Sequence, residues 1–134
     1  MTLIVCVDDK MGMAFNNRRQ SRDRTVCEDI VKITNGNPIY MQDRSVSLFE
    51  NLNANTVTVQ NPNEAISGIY FSEFENVDNF KVDRLILYRW NRHYPADLYF
   101  DLPLDTFTLI DSTEFAGNSH EKITREVYIN GTQK

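Results

Sequence analysis

The sequence predicts an α/β domain on a mixed, mostly parallel sheet, with short flanking helices and a C-terminal antiparallel hairpin. Three observations carry that expectation. Leu3-Ile4-Val5-Cys6-Val7 is a short apolar run ended by Asp8-Asp9, the mark of a buried strand. Beyond a polar stretch, Val26, Cys27, Ile30 and Val31 recur at the helical period, and Gly36 and Pro38 stop that segment ahead of Ile39-Tyr40-Met41. Strand, loop, helix, strand opens a parallel crossover, and such sheets bind ligands beyond the carboxyl ends of their strands. Late in the chain, residues 107–110 and 123–129 alternate apolar with polar across Ala116-Gly117-Asn118-Ser119-His120, the pattern of an antiparallel pair.

Each element follows from local chemistry. Residues 3–7 form the first strand, and residues 16–24 read as an exposed polar loop. The next helix has two possible starts: Ser21 as N-cap, or Thr25-Val26-Cys27-Glu28 as a capping box in which Glu28 reaches back to the Thr25 amide. Glu28, Asp29 and Lys32 fall mainly on its polar side, and Gly36 supplies a left-handed cap. Residues 39–41 are the second strand, and residues 43–52 a short helix with Val46, Leu48 and Phe49 inward. A strand at 56–59, a turn at 61–63 and a strand at 66–71 weakened by Gly68 follow. Residues 74–82 fit a helical turn or a loop, and residues 85–88 are strand. Val5, Ile30, Leu85 and Leu87 are expected in the core.

Composition bounds the function classes. A chain of 134 residues, 41% hydrophobic and 25% charged, is one globular domain with room for a real core. No apolar run approaches a membrane span, and Asp8-Asp9 cut the first one short with no basic segment before it, so neither a membrane nor a signal peptide is expected. A cytoplasmic location follows as the expectation. Cys6 and Cys27 read as two buried thiols rather than a disulfide. A net charge of −5 argues against a broad nucleic-acid surface. Asn130-Gly131-Thr132 matches a glycosylation sequon, which means little without a secretory route.

The candidate contact residues fall in two groups. Arg18, Arg19, Arg22 and Arg24, beside Asn17, could grip a phosphate-bearing ligand or an acidic protein bidentately; the alternative is a solvated loop partly offset by Asp23. Trp90 and Tyr94 belong to a dense aromatic crossover with Tyr88, Tyr99 and Phe100. That set packs core and rim, or with Arg89 and Arg92 anchors an interface. Asp8-Asp9 and Glu28-Asp29 read as exposed charge rather than as a metal site. His93 and His120 stand alone on expected loops, without a serine or cysteine motif, and are not read as catalytic.

The order of elements resembles dihydrofolate reductase. Val7-Asp8-Asp9-Lys10-Met11-Gly12-Met13 resembles that family's first strand and its turn into the active-site loop. Asn37-Pro38-Ile39-Tyr40-Met41 is similar to the Lys-Pro-Val-Ile-Met that leads into its cofactor-binding helix, and Asp97-Leu98-Tyr99-Phe100-Asp101 to its Asp-Thr-x-Phe-Pro element. The departures concern the chemistry. Leu-Pro-Trp becomes Arg18-Arg19-Gln20 or its neighbours, the substrate-protonating carboxylate falls on Val26, and the phosphate-binding Gly-Arg becomes Gln42-Asp43. No Gly-Gly pair precedes a helix in mid-chain. The resemblance therefore implies the scaffold without its cofactor, and a non-enzymatic binding protein is the leading expectation. The alternatives are an NADPH-dependent reductase with Glu28 or Asp29 as a displaced acid, and a nucleotide or nucleic-acid binder acting through the four arginines.

Overall fold

Thr2–Val7 forms β1 at the middle of a seven-stranded sheet in the computed structural model, which describes residues 1–65, 67–78 and 80–131. The other strands of that sheet are β4 (Ile39–Met41), β5 (Thr56–Thr58), β6 (Ile69–Phe71), β7 (Arg84–Arg89), β9 (Phe107–Phe115) and β10 (Ile123–Asn130), in the order β5-β4-β6-β1-β7-β10-β9. The five strands from β5 to β7 run parallel; β10 runs antiparallel to β7 and β9. Parallel crossovers thus come first and the hairpin closes the sheet, as expected.

Both faces of the centre are buried, which is why these strands read as apolar runs without alternation. On one face Leu3 and Val5 lie beside Leu85 and Leu87, under Val77, Val82 and Phe100. On the other, Ile4 and Ile86 meet Val26, Cys27 and Ile30 of α1 (Arg24–Thr34), with Leu48 and Phe49 alongside. Leu48 and Phe49 come from a 3-10 segment, Asp43–Phe49, shorter than the helix expected over 43–52; Val46 is only half-buried there. Residues 74–82 take no regular structure among those described. Gly68 receives a hydrogen bond from the Thr2 amide at the entry of β6, so the expected strand over 66–71 begins only at Ile69. Ile66 and the sequon's Thr132 lie outside the described residues.

Two local expectations need correction. Neither Ser21 nor Thr25 caps α1: the N-cap is Asp23, whose Oδ1 accepts from the Thr25 amide at 2.9 Å, while Glu28 faces Arg24. At the other end Asn35 takes the left-handed cap (φ 51°), one residue before Gly36. The polar stretch expected as a loop over 16–24 is one only in part: Arg18–Arg19 is strand, while residues 20–23 take no regular structure before α1. Gly12–Phe15 and Arg18–Arg19 are β2 and β3, paired antiparallel across Asn16-Asn17, whose φ angles of 52° and 59° give the left-handed two-residue turn that hairpins favour. β8 (Leu98–Tyr99) pairs on the far side of β2, making a separate antiparallel sheet, β3-β2-β8, absent from the sequence expectation. No helix among the described residues is long and apolar enough to cross a membrane.

Candidate functional site

The four arginines diverge. Arg19 turns inward, its Nε and Nη2 each donating to Glu73 at 2.9 Å, and Glu73 also accepts from the Ser45 hydroxyl at 2.7 Å. The ion pair raises the Arg19 pKa, so its charge serves the fold. Asn17 is engaged as well, accepting from Arg44 through its backbone and side-chain oxygens, while the Arg44 guanidinium lies 3.4 Å from the Phe74 ring centre. Arg24 makes an exposed i,i+4 pair with Glu28. Arg18 and Arg22 are exposed and have no ion-pair partner among the described residues, but they open onto different hollows.

Trp90 is not an exposed anchor: it is 5% accessible, and its indole stacks on the His120 ring with centroids 4.6 Å apart and planes at 19°. Stacking brings it into a buried polar cluster that joins the start of α1 to the turn before β10. His120 Nδ1 lies 2.9 Å from Asp23 Oδ2. Nε2 faces two hydroxyls, Tyr94 at 2.9 Å and Ser21 at 3.2 Å, and the Tyr94 hydroxyl is 3.3 Å from Ser21 Oγ. Asp23 also accepts from the amides of Asn118 and Ser119 at 2.8 Å each, besides its cap bond to Thr25. Burial opposes its ionisation, yet those donors outweigh it and hold the Asp23 pKa below the ordinary carboxylate range. An ionised carboxylate only accepts, so Nδ1 of His120 carries a proton, and in the neutral ring Nε2 is then the acceptor for a hydroxyl. Gly117 permits the approach: a Cβ there would come within 2.5 Å of Asp23 Oδ2.

A second buried carboxylate frames the same region. Asp8, expected to be exposed, is 1% accessible at the end of β1. Its Oδ1 accepts from the Lys10 and Gly12 amides at 2.8 and 2.7 Å, and its Oδ2 from Gln20 Nε2 and the Tyr94 amide at 3.2 Å each. Here too burial opposes the charge and hydrogen bonds win, lowering the pKa. A side chain on Gly12 would strike Ala96 at 2.5 Å and the Gln20 amide at 2.7 Å. Asp8 thereby ties the hairpin, through Gln20, to the crossover carrying Tyr94; Gln20 Nε2 also donates to Pro95 O. The other amide atom, Gln20 Oε1, is buried and has no hydrogen-bond partner among the described residues. Beside it is a recess of about 270 Å³ lined by Phe15, Arg18, Gln20, Tyr94 and Pro95 among others. Phe15 is 48% exposed on its rim.

The structure thus brings together the hairpin and Tyr94, two regions singled out from the sequence, and adds Gln20 with four residues read there in other roles: Asp8 as exposed charge, Ser21 as a cap, Asp23 as a charge offset and His120 as a lone loop histidine, which instead is buried against Asp23 and Trp90. An Asp at the N-cap two residues before Thr25, and a turn-rich Gly117-Asn118-Ser119-His120, were the available signals. The displaced acids are engaged elsewhere: Asp29 accepts from the Tyr88 hydroxyl at 2.6 Å and from Arg125 Nη1 at 2.8 and 2.9 Å. Cys6 and Cys27 are free thiols; burial pushes Cys27 up to about 12 and Cys6 well above its ordinary value. No group of three or more metal-ligating side chains assembles among the described residues. No protein-family model matches the chain, and neither does any curated protein.

Proposed function

We propose that this chain is a small binding protein on a dihydrofolate-reductase-like scaffold, and that its contact surface is the recess between the β2–β3 hairpin and the Tyr94 crossover. The scaffold reading is supported by the element order, with parallel crossovers around a central first strand and a closing antiparallel hairpin. The contact reading rests on one observation: Gln20, which lines that recess, carries a buried Oε1 with no hydrogen-bond partner among the described residues. A buried acceptor without a donor costs about 1–3 kcal/mol, and a ligand N–H or O–H placed there removes that cost. Phe15 and Tyr94 offer flat apolar surface, and Arg18 offers a free guanidinium at the mouth. The ligand that suits all three is small and planar, with a hydrogen-bond donor on one side and a phosphate or carboxylate on the other.

A thermal-shift screen against nucleotides, folates and polyanions tests this, because a ligand that binds only the native state raises the melting temperature. A hit should be weakened by Arg18→Ala and by Gln20→Ala, and its affinity should fall with salt through the arginine contact. NADPH should give no shift, and no hydride transfer to dihydrofolate should occur, because the resemblance puts Gln42-Asp43 in place of the family's phosphate-binding Gly-Arg, and Asp29 is held by Tyr88 and Arg125. Saturable NADPH binding at micromolar levels would defeat this reading and restore the reductase.

A further inference from the structure

We propose that Ser21 is a nucleophile driven by His120 and Asp23, and that the site hydrolyses small esters or activated acyl compounds seated in the recess beside Tyr94. The buried cluster has the three roles such chemistry needs. Asp23, fully buried and held ionised by backbone amides, fixes the His120 tautomer and orientation through Nδ1. His120 presents Nε2 to the Ser21 hydroxyl at 3.2 Å, and the stacked Trp90 keeps the ring from turning. Tyr94 adds a hydroxyl within 3.3 Å of Ser21 Oγ, placed to donate to the oxygen of a carbonyl under attack. Ser21 itself is only half-buried, and Gln20 and Tyr94, on either side of it, line the recess. Two hydroxyls share the one lone pair of Nε2, Tyr94 at 2.9 Å and Ser21 at 3.2 Å, and both belong to half-buried residues.

The step balances without a cofactor. Ser21 Oγ bonds to the acyl carbon as its proton passes to His120 Nε2, and Tyr94 donates to the developing oxyanion. The bond from the acyl carbon to the leaving oxygen then breaks, and that oxygen takes the proton from Nε2. A water next gives a proton to Nε2 and its oxygen to the acyl carbon; Ser21 Oγ departs and recovers the proton, releasing the acid. Asp23 is a positioning residue throughout. The seat of the acyl group rests on the binding reading above, whereas the nucleophile does not.

The experiment keeps the two apart. The full chain is exposed to a small neutral fluorophosphonate, which needs only the relay: the Ser21 oxygen bonds to phosphorus, fluoride leaves, and the proton goes to Nε2. Mass spectrometry should find one adduct, on Ser21, absent in Ser21→Ala, with Ser21→Ala melting as the parent does. His120→Gln should slow labelling at least about 100-fold. Tyr94→Phe should lower kcat for p-nitrophenyl acetate by about 100-fold or more while leaving KM near its parent value. Should His120→Gln fail to fold, the parent's labelling rate must instead rise with pH through a single deprotonation. No adduct under conditions that label an ordinary serine hydrolase, adducts that survive Ser21→Ala, or a pH-independent rate would each overturn the proposal and leave the cluster as a buried staple. Labelling that proceeds while anionic ligands fail to bind would keep the nucleophile and discard the recess.

Discussion

Asp23 accepts four hydrogen bonds on two oxygens while fully buried, and Asp8 accepts four more at the end of β1. Isolated buried carboxylates would take up protons, but both of these hold pKa values below the ordinary range. Their linkage to folding follows from that sign. Each binds a proton less readily in the folded chain than in the unfolded one, so the stabilisation is fully present above the unfolded carboxylate pKa near ~4 and is lost as pH falls through the lower folded values. The melting temperature should therefore change little between about pH 7 and 5 and drop steeply below about 4. In Asp23→Asn the acid limb should be shallower, as followed by circular dichroism. An acid limb as steep as the parent's would mean that Asp23 titrates alike in both states.

Elements here are held by pairings between segments that have no local reason to meet. The β2–β3 hairpin is docked on the body through Arg19, whose partner Glu73 is 9% accessible at its side chain. Removing the guanidinium leaves that carboxylate with the Ser45 hydroxyl as its one remaining side-chain donor among the described residues, so Arg19→Ala should cost about 1–3 kcal/mol in urea unfolding. Arg18, one residue away on the exposed edge, should tolerate the same change within about 0.5 kcal/mol. Equal effects at the two positions would mean that the ion pair contributes nothing. The difference also separates architecture from contact, since only Arg18 is free to meet a ligand at the recess.

At the scale of the whole molecule, stability resides in the doubly covered sheet. Leu85 and Leu87 of β7 are fully buried against β1 and the loop residues Val77 and Val82. Replacing either by Ala should cost roughly 2–5 kcal/mol by transfer and cavity terms together, measured by denaturant unfolding. A cost near zero would remove β7 from the centre of the sheet. One face is covered by α1, the other largely by irregular chain. The two buried carboxylates Asp8 and Asp23 stand where β1 ends and where α1 begins, so the site is fastened to the sheet and to α1.

Residues 3–7, 85–88 and the apolar positions of α1 were legible in the sequence because their signal is local: a run or a period of apolar residues that any fold must bury. Val5, Ile30, Leu85 and Leu87 are accordingly all fully buried, whereas the closing hairpin was legible from its alternation and turn residues, its edge strand β9 leaving Leu109 and Ile110 exposed. Asn16-Asn17 was less legible, since two asparagines mark a loop as readily as a hairpin turn. Only the tertiary structure turned Arg19 inward, buried Trp90, and set His120 against Asp23 from 97 positions away. None of those partners carries a mark of the other. The burial of charge costs several kcal/mol unless donors converge on it, and convergence is a property of where distant segments are placed, which no spacing along the chain encodes.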